Sequence, residues 1–229
     1  MNLTKAMVED LLRADMYRLL SLSFSQPSET NLELIEAILL DLKGSGSDEL
    51  NQVLLCITGL DRALKQDWDK IEEEYYRLFV TKVDCPSCEG SYHIAERGPI
   101  LGDVTGFYEA FKMRVTPQSG PPDSLKAQLL FMHVLALKKC FAREKELWEQ
   151  IEIVKDVEKK FLNDHLGRWA PCFAAKLKSE ADLFFYDTLA DFLQQWMESE
   201  CERFRINPIR LKVGMVSFEN PEPVQCKLH

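Results

Sequence analysis

Glu73 to Met132 reads EEYYRLFV (73–80), CPSCEGSYHIAERGP (85–99), LGDVTGFYEAF (101–111) and PPDSLKAQLLFM (121–132), the densest run of helix-end signals in the chain. Over residues 67–80, Ile71, Tyr75, Leu78 and Phe79 fall on one stripe at spacings of four, three and one, with Glu72, Glu73 and Arg77 elsewhere. That spacing predicts a helix with an aromatic face. Pro86, Gly90, Gly98 and Pro99 break the period, so residues 81–99 read as a long ordered loop of the kind that carries function on helical scaffolds. Helical spacing returns over 102–115 through Val104, Phe107, Tyr108 and Phe111. Beyond Gly120-Pro121-Pro122, Asp123 is a good N-cap for a helix burying Leu125, Leu129, Met132 and Ala136.

The same periodicity extends outward on both sides. Val8, Leu11, Leu12, Met16, Leu19 and Leu20 predict a helix over 4–24, stopped by Pro27. Thr30 with Glu33 forms a capping box for a second helix through Leu34, Ile35, Ile38, Leu39 and Leu42. Residues 43–46 read as a flexible turn, and Ser47 opens a third helix reaching Leu64. Toward the C-terminus, 147–162 is a charge-rich surface helix with a narrow seam of Ile151, Val154, Val157 and Phe161. Pro171, after Gly167, suits the first turn of another. Residues 181–204 form one more long helix, and three prolines with Gly214 forbid helix from Ile206 onward. A weak strand signal at 211–218 aside, the expectation is all-α: a single-domain bundle over 1–205 and an extended tail over 206–229.

Composition narrows the function. A chain of 229 residues, 46% hydrophobic and 28% charged, buries a full-sized core. A net charge of −9 argues against nucleic acid and favours a cationic partner. Glu9, Asp10, Arg13 and Asp15 interrupt the N-terminal apolar residues, so neither a signal peptide nor a membrane span is expected, and the location expected is the cytoplasm. Seven cysteines, an odd number, fit thiols in a reducing compartment.

Cys85-Pro-Ser-Cys88, with His93 five residues on, has the sharpest metal-like spacing, since two thiolates two residues apart can grip a tetrahedral ion. A fourth ligand is missing from the sequence, and the plain reading is an idle thiol pair. Redox chemistry lacks the βαβ setting that would activate one thiol, and acyl chemistry through Cys88 lacks an oxyanion hole. Phosphate-cradling glycine loops are absent and no cofactor is expected. The carboxylates of Glu89, Glu96, Asp103 and Asp123, set beside Tyr75, Phe79 and Tyr92, would suit a peptide that is both basic and apolar; as plain chemistry they are caps and solvated charges.

Several stretches resemble one family. Glu74-Tyr75-Tyr76-Arg77-Leu78-Phe79 is similar to the E-Y-x-R-L-F signature of the TorD/DmsD/NarJ-type chaperones for molybdoenzymes, and residues 85–92 resemble their C-P-P-Y-E-S-x-Y loop. Pro122-Asp123-Ser124-Leu125 with Leu129 to Met132 resembles their P-D-H-L and E-L-x-F-M elements. Phe161-Leu162-Asn163-Asp164-His165-Leu166 with Trp169, then Phe185-Tyr186 with Leu189-Ala190, resembles F-L-x-x-H-L-x-x-W and F-Y-x-x-L-A. The resemblance implies an all-helical, non-enzymatic cytoplasmic chaperone, monomeric or homodimeric. Its partner would be the catalytic subunit of a molybdopterin oxidoreductase, held by a twin-arginine signal peptide or equivalent N-terminal segment until molybdenum cofactor is inserted. Molybdenum cofactor biosynthesis proteins would be further partners. Carried over, the peptide-binding positions are Tyr75, Leu78, Phe79, Pro86, Glu89, Pro122 and Asp123, with Tyr92 and Ser124 beside them. Ser124 stands where the family often has His, and Cys88 where it has an aromatic residue. The alternative is a metal or redox protein working through Cys85, Cys88 and His93.

Overall fold

A computed structural model describes residues 4–45, 53–64, 68–94, 97–114 and 120–211. Over these residues the chain is helical: α1 Lys5–Ser23, α2 Glu29–Gly44, α3 Leu54–Ala63, α4 Trp68–Tyr76, α5 Arg97–Ala110, α6 Leu125–Glu144, α7 Trp148–Phe161, α8 Gly167–Glu180 and α9 Phe184–Phe204. The sole β feature among them is an isolated antiparallel bridge, Cys88 to Ser124. The expected fold class holds, and no helix of the described residues is long and apolar enough to cross a membrane.

Local chemistry moves several of the expected boundaries. Thr4 caps α1, its hydroxyl accepting from the Met7 N–H, but α2 is capped by Ser28 and not Thr30. Ser28 has the extended backbone a cap needs and accepts from the Asn31 N–H, so the helix begins before the capping box read from the sequence. That helix absorbs Lys43 and Gly44, where a turn was expected. Gly46 and the proposed start at Ser47 lie outside the described residues. α5 starts at Arg97, not Gly102, because Pro99 sits in its first turn, where a missing N–H costs nothing. Ala181 to Leu183 remain outside α9.

Two π-helical turns have no counterpart in the sequence reading. Arg77–Thr81 extends α4, and Leu162–Leu166 joins α7 to α8 without a break, so Pro171 lies inside one long rod and not at its start. A wide turn brings the Leu162 carbonyl within 2.5 Å of where a Cβ on Gly167 would stand, which requires glycine there.

α1 packs along α6, α8 along α9, and α7 and α3 flank these pairs. Between them lies an aromatic core: Phe131 touches Tyr108 and Phe161 at centroid distances of 4.9 and 4.8 Å, and Trp169 sits edge-on to Phe173. Two of the polar interruptions in α1, Asp10 and Arg13, prove to be internal. Arg13 donates to Glu200 on α9 and Glu158 on α7 at 2.9 and 2.8 Å, Tyr17 donates to Glu200 at 2.8 Å, and Lys139 on α6 joins Glu158 to Asp10. Phe204 closes this cluster with its ring 5.3 Å from the Arg13 guanidinium. A charge cluster so paired ties four helices in one register, since an unpaired member would be costly at such burial.

After the left-handed C-cap at Arg205, Ile206–Leu211 forms an extended strap back across α8. The Leu211 N–H donates to the Arg168 carbonyl at 3.0 Å, and Arg168 Nε donates to the Ile209 carbonyl at 3.2 Å. Pro208 is buried in the notch that Gly167 leaves, 3.0 Å from the would-be Cβ. The strand signal beyond Leu211 lies outside the described residues.

Candidate functional site: an acidic groove beside the first loop

The loop after α4 is fastened to the turn before α6. Glu89 N–H donates to the Asp123 carbonyl at 2.9 Å and Leu125 N–H to the Ser87 carbonyl at 2.8 Å. Asp123 is fully buried and does not cap α6: its carboxylate accepts from the Gly90 N–H at 3.0 Å and takes both nitrogens of a fork from Arg97. Ser124 is the N-cap residue by backbone, with no side-chain bond, and its buried hydroxyl has no partner. Gly90 is glycine because Arg97 passes over it, with Cγ 2.5 Å from a would-be Cβ.

This fastening presents the short 3-10 turn Glu89–Tyr92 to a groove of about 670 Å³. Glu89 lies at its floor, almost fully buried. Gln128 Nε2 donates to Glu89 at 2.6 Å while Trp169 Nε1 donates to Gln128 at 3.0 Å, a relay that orients the carboxylate from behind. His165, from the π-turn between α7 and α8, places Nδ1 3.1 Å from Glu89 and Nε2 3.2 Å from Asp103 of α5. His93 Nε2 stands 3.4 Å from Glu89 but is misaligned for a hydrogen bond, so a buried ring nitrogen faces the groove unsatisfied. Asp164 and Arg168 complete the polar lining, and Pro99, Ile100 and Ile209 the apolar one; Asn207 and Ile209 come from the strap. Asp103 is the most open carboxylate, with 64% of its side chain exposed.

The residues anticipated from the sequence separate into three places. Glu89 and Asp103 line the groove. Pro86, Tyr92, Pro122, Asp123 and Ser124 support it: Tyr92 donates to the Pro86 carbonyl at 2.9 Å and lies 5.4 Å from Trp169, and Tyr108 donates to the Pro122 carbonyl at 2.8 Å. Tyr75, Leu78 and Phe79 do not line it. Phe79 packs on Phe173 and Tyr186, Tyr75 meets Phe79 edge-on at 5.2 Å, and Leu78 is core. Glu74 and Arg77 of the same signature brace the α8–α9 turn, Glu74 accepting from the Asp182 N–H at 2.7 Å and Arg77 donating to the Glu180 carbonyl at 2.7 Å. Glu96 lies outside the described residues.

Cys85 and Cys88 face different surroundings. Cys85 is buried with its sulfur toward the Phe173 carbonyl, and burial pushes its thiol up to about 12. Burial, then the nearby Asp123 charge, pushes Cys88 to about 11. Among the described residues, no group of three His, Cys, Asp or Glu side chains is arranged to hold a metal ion. Sequence reasoning passed over His165, Asp164 and Arg168 as groove residues; the signal available was the F-L-x-x-H-L stretch, which holds two of them.

The family model for the nitrate reductase delta subunit matches residues 45–175, more than half of the chain. The fold is similar to the crystal structure of a protein designated a redox enzyme maturation protein from Archaeoglobus fulgidus, with a TM-score of 0.51 and 20% identity over 81% of this chain and 93% of that one. No curated protein gives a significant match.

Proposed function

The chain belongs to the nitrate reductase delta subunit family, and from that premise we propose that it is a non-enzymatic maturation chaperone whose groove holds the cationic N-terminal segment of a redox enzyme. The observation that supports this most is the concentration of Glu89, Asp103 and Asp164 around one groove that Pro99, Ile100 and Ile209 line with apolar surface. Arginine forks pair with carboxylates at two points, and the apolar residues that follow a twin-arginine pair would lie against Ile100 and Ile209. The client in this reading is a molybdopterin oxidoreductase catalytic subunit, held in the cytoplasm until its cofactor is inserted. Tyr75, Leu78 and Phe79, remote from the groove, serve in this reading as the packing that sets the loop.

Calorimetry with a synthetic twin-arginine peptide tests it. Binding is expected, and Asp103→Asn with Asp164→Asn should weaken it by about 1–3 kcal/mol. No binding, or equal binding by the double variant, rejects the groove as the site.

A further inference from the structure

A second cavity carries the opposite charge. It holds about 420 Å³ between α1, the segment after α5 and the first turns of α6, and every charged side chain that lines it is basic: Arg18, Arg114 and Lys126. In a chain with 37 acidic against 28 basic residues that grouping is unexpected, and residues 111–122 contain no Asp or Glu at all. Among the described residues, no carboxylate forms an ion pair with any of the three, whereas cations such as Arg77, Lys139 and Arg143 are all paired. Asp15, one turn before Arg18, feels its charge without reaching it. Lys126 is half-buried, and burial alone holds its ammonium below the usual lysine range. A desolvated cation at the wall of a cavity, with no carboxylate paired to it among the described residues, favours binding of an anion there.

The other walls say what kind of anion. Leu22, Met113 and Leu130 are apolar, and Leu130 is exposed at the rim. The two hydroxyls present, Ser21 and Ser25, already donate to the Lys126 and Ser21 carbonyls, so they offer no proton to a phosphate. His133 is anchored through Nδ1 on the Ala14 carbonyl, and burial holds its ring below the usual range, toward the neutral form. The three cations would pair with a carboxylate or a phosphate alike; it is the apolar walls of Leu22, Met113 and Leu130 that favour carboxylates carried beside apolar residues over a bare phosphate. We propose that this cavity docks an acidic, leucine-bearing segment of a partner polypeptide. It is independent of the groove reading, which concerns a cationic segment.

The test uses the full chain and a fluorescein-labelled nine-residue peptide alternating Leu with Glu, with a Gln-for-Glu peptide as control. Anisotropy should show binding that weakens with salt, falls about tenfold for Lys126→Gln with Arg18→Gln, survives in Lys126→Arg, and is unaffected by Asp103→Asn. Circular dichroism should show the double variant melting no lower than the native chain, because no carboxylate among the described residues forms an ion pair with the cations removed. Equal binding of the Gln peptide, equal binding by the double variant, loss of binding in Asp103→Asn, or displacement by inorganic phosphate at concentrations comparable to the peptide would each overturn the proposal.

Discussion

Arg97 and Asp123 form a two-point ion pair, with Nε 2.9 Å from Oδ2 and Nη2 2.5 Å from Oδ1, in which the carboxylate is fully buried and the guanidinium is 44% exposed. The pair joins the first turn of α5 to the turn before α6 across the loop that carries Glu89. Arg97→Gln would leave Asp123 buried with only the Gly90 N–H. A loss of about 2 kcal/mol in urea unfolding is expected, reduced from the fully buried case by the exposure of Arg97. A loss under about 0.5 kcal/mol, the range of ordinary surface changes, would mean that the fork does not hold the loop.

The cluster around Arg13 should set the acid limb of stability. Burial alone would raise the Glu200 carboxyl, but Arg13 against it, helped by Arg203 and Tyr17, brings it below its usual 4.5. A carboxylate depressed in the folded state stabilises the fold fully above its unfolded value and loses that contribution as pH falls through the folded one. Unfolding free energy should therefore decline below about pH 4.5. Glu200→Gln should cost about 3 kcal/mol at neutral pH and flatten that decline. A series of urea melts from pH 7 to pH 3 reads both effects, and an unchanged slope in the variant would count against this assignment.

Gly167→Ala poses helix propensity against space. Alanine gains up to about 1 kcal/mol in a free helix, but here its methyl would meet the Leu162 carbonyl and Pro208 at 2.5 and 3.0 Å. Net destabilisation of about 1–3 kcal/mol is expected, with faster proteolysis after Arg205 as the strap lifts. A stabilised variant would show that the notch is slack.

Thiol labelling separates the binding-protein reading from chemistry at Cys85 and Cys88. With both thiols raised, to about 12 and about 11, almost none is thiolate at neutral pH. Peptide mapping after iodoacetamide should find both unmodified when free cysteine in the same solution has reacted completely. Rapid modification of either would reopen a redox or metal role.

The bundle was legible because its core positions obey one period: Met16, Leu19 and Leu20, or Leu125, Leu129 and Met132, are buried as their spacing requires. The π-turns were not legible, since one extra residue in a turn barely disturbs that spacing. Asp123 shows how a good cap residue is diverted when a stronger partner, Arg97, lies within reach, and that partner is 26 residues away. Glu89 could be picked out from its loop. His165, 76 residues further along, meets it only through the packing of α8, and Asp10 and Arg13, legible only as charges interrupting an apolar run, find their partners on α6, α7 and α9. Tyr75 and Phe79 were visible as an aromatic stripe, but spacing cannot say whether such a stripe faces a peptide or Phe173.

The strap from Ile206 to Leu211 lies beyond the region that the family model matches, yet it supplies Asn207 and Ile209 to the groove. It is held to the bundle by buried Pro208, by Ile206 and Leu211 against the core, by two bonds with Arg168, by the Cys172 thiol on the Leu211 carbonyl and by Arg210 beside Glu198. Under the function proposed above, the strap would contribute to selectivity from outside the helices. Under the same proposal, grafting the strap of one family member onto another is expected to shift peptide preference while leaving the helices unchanged.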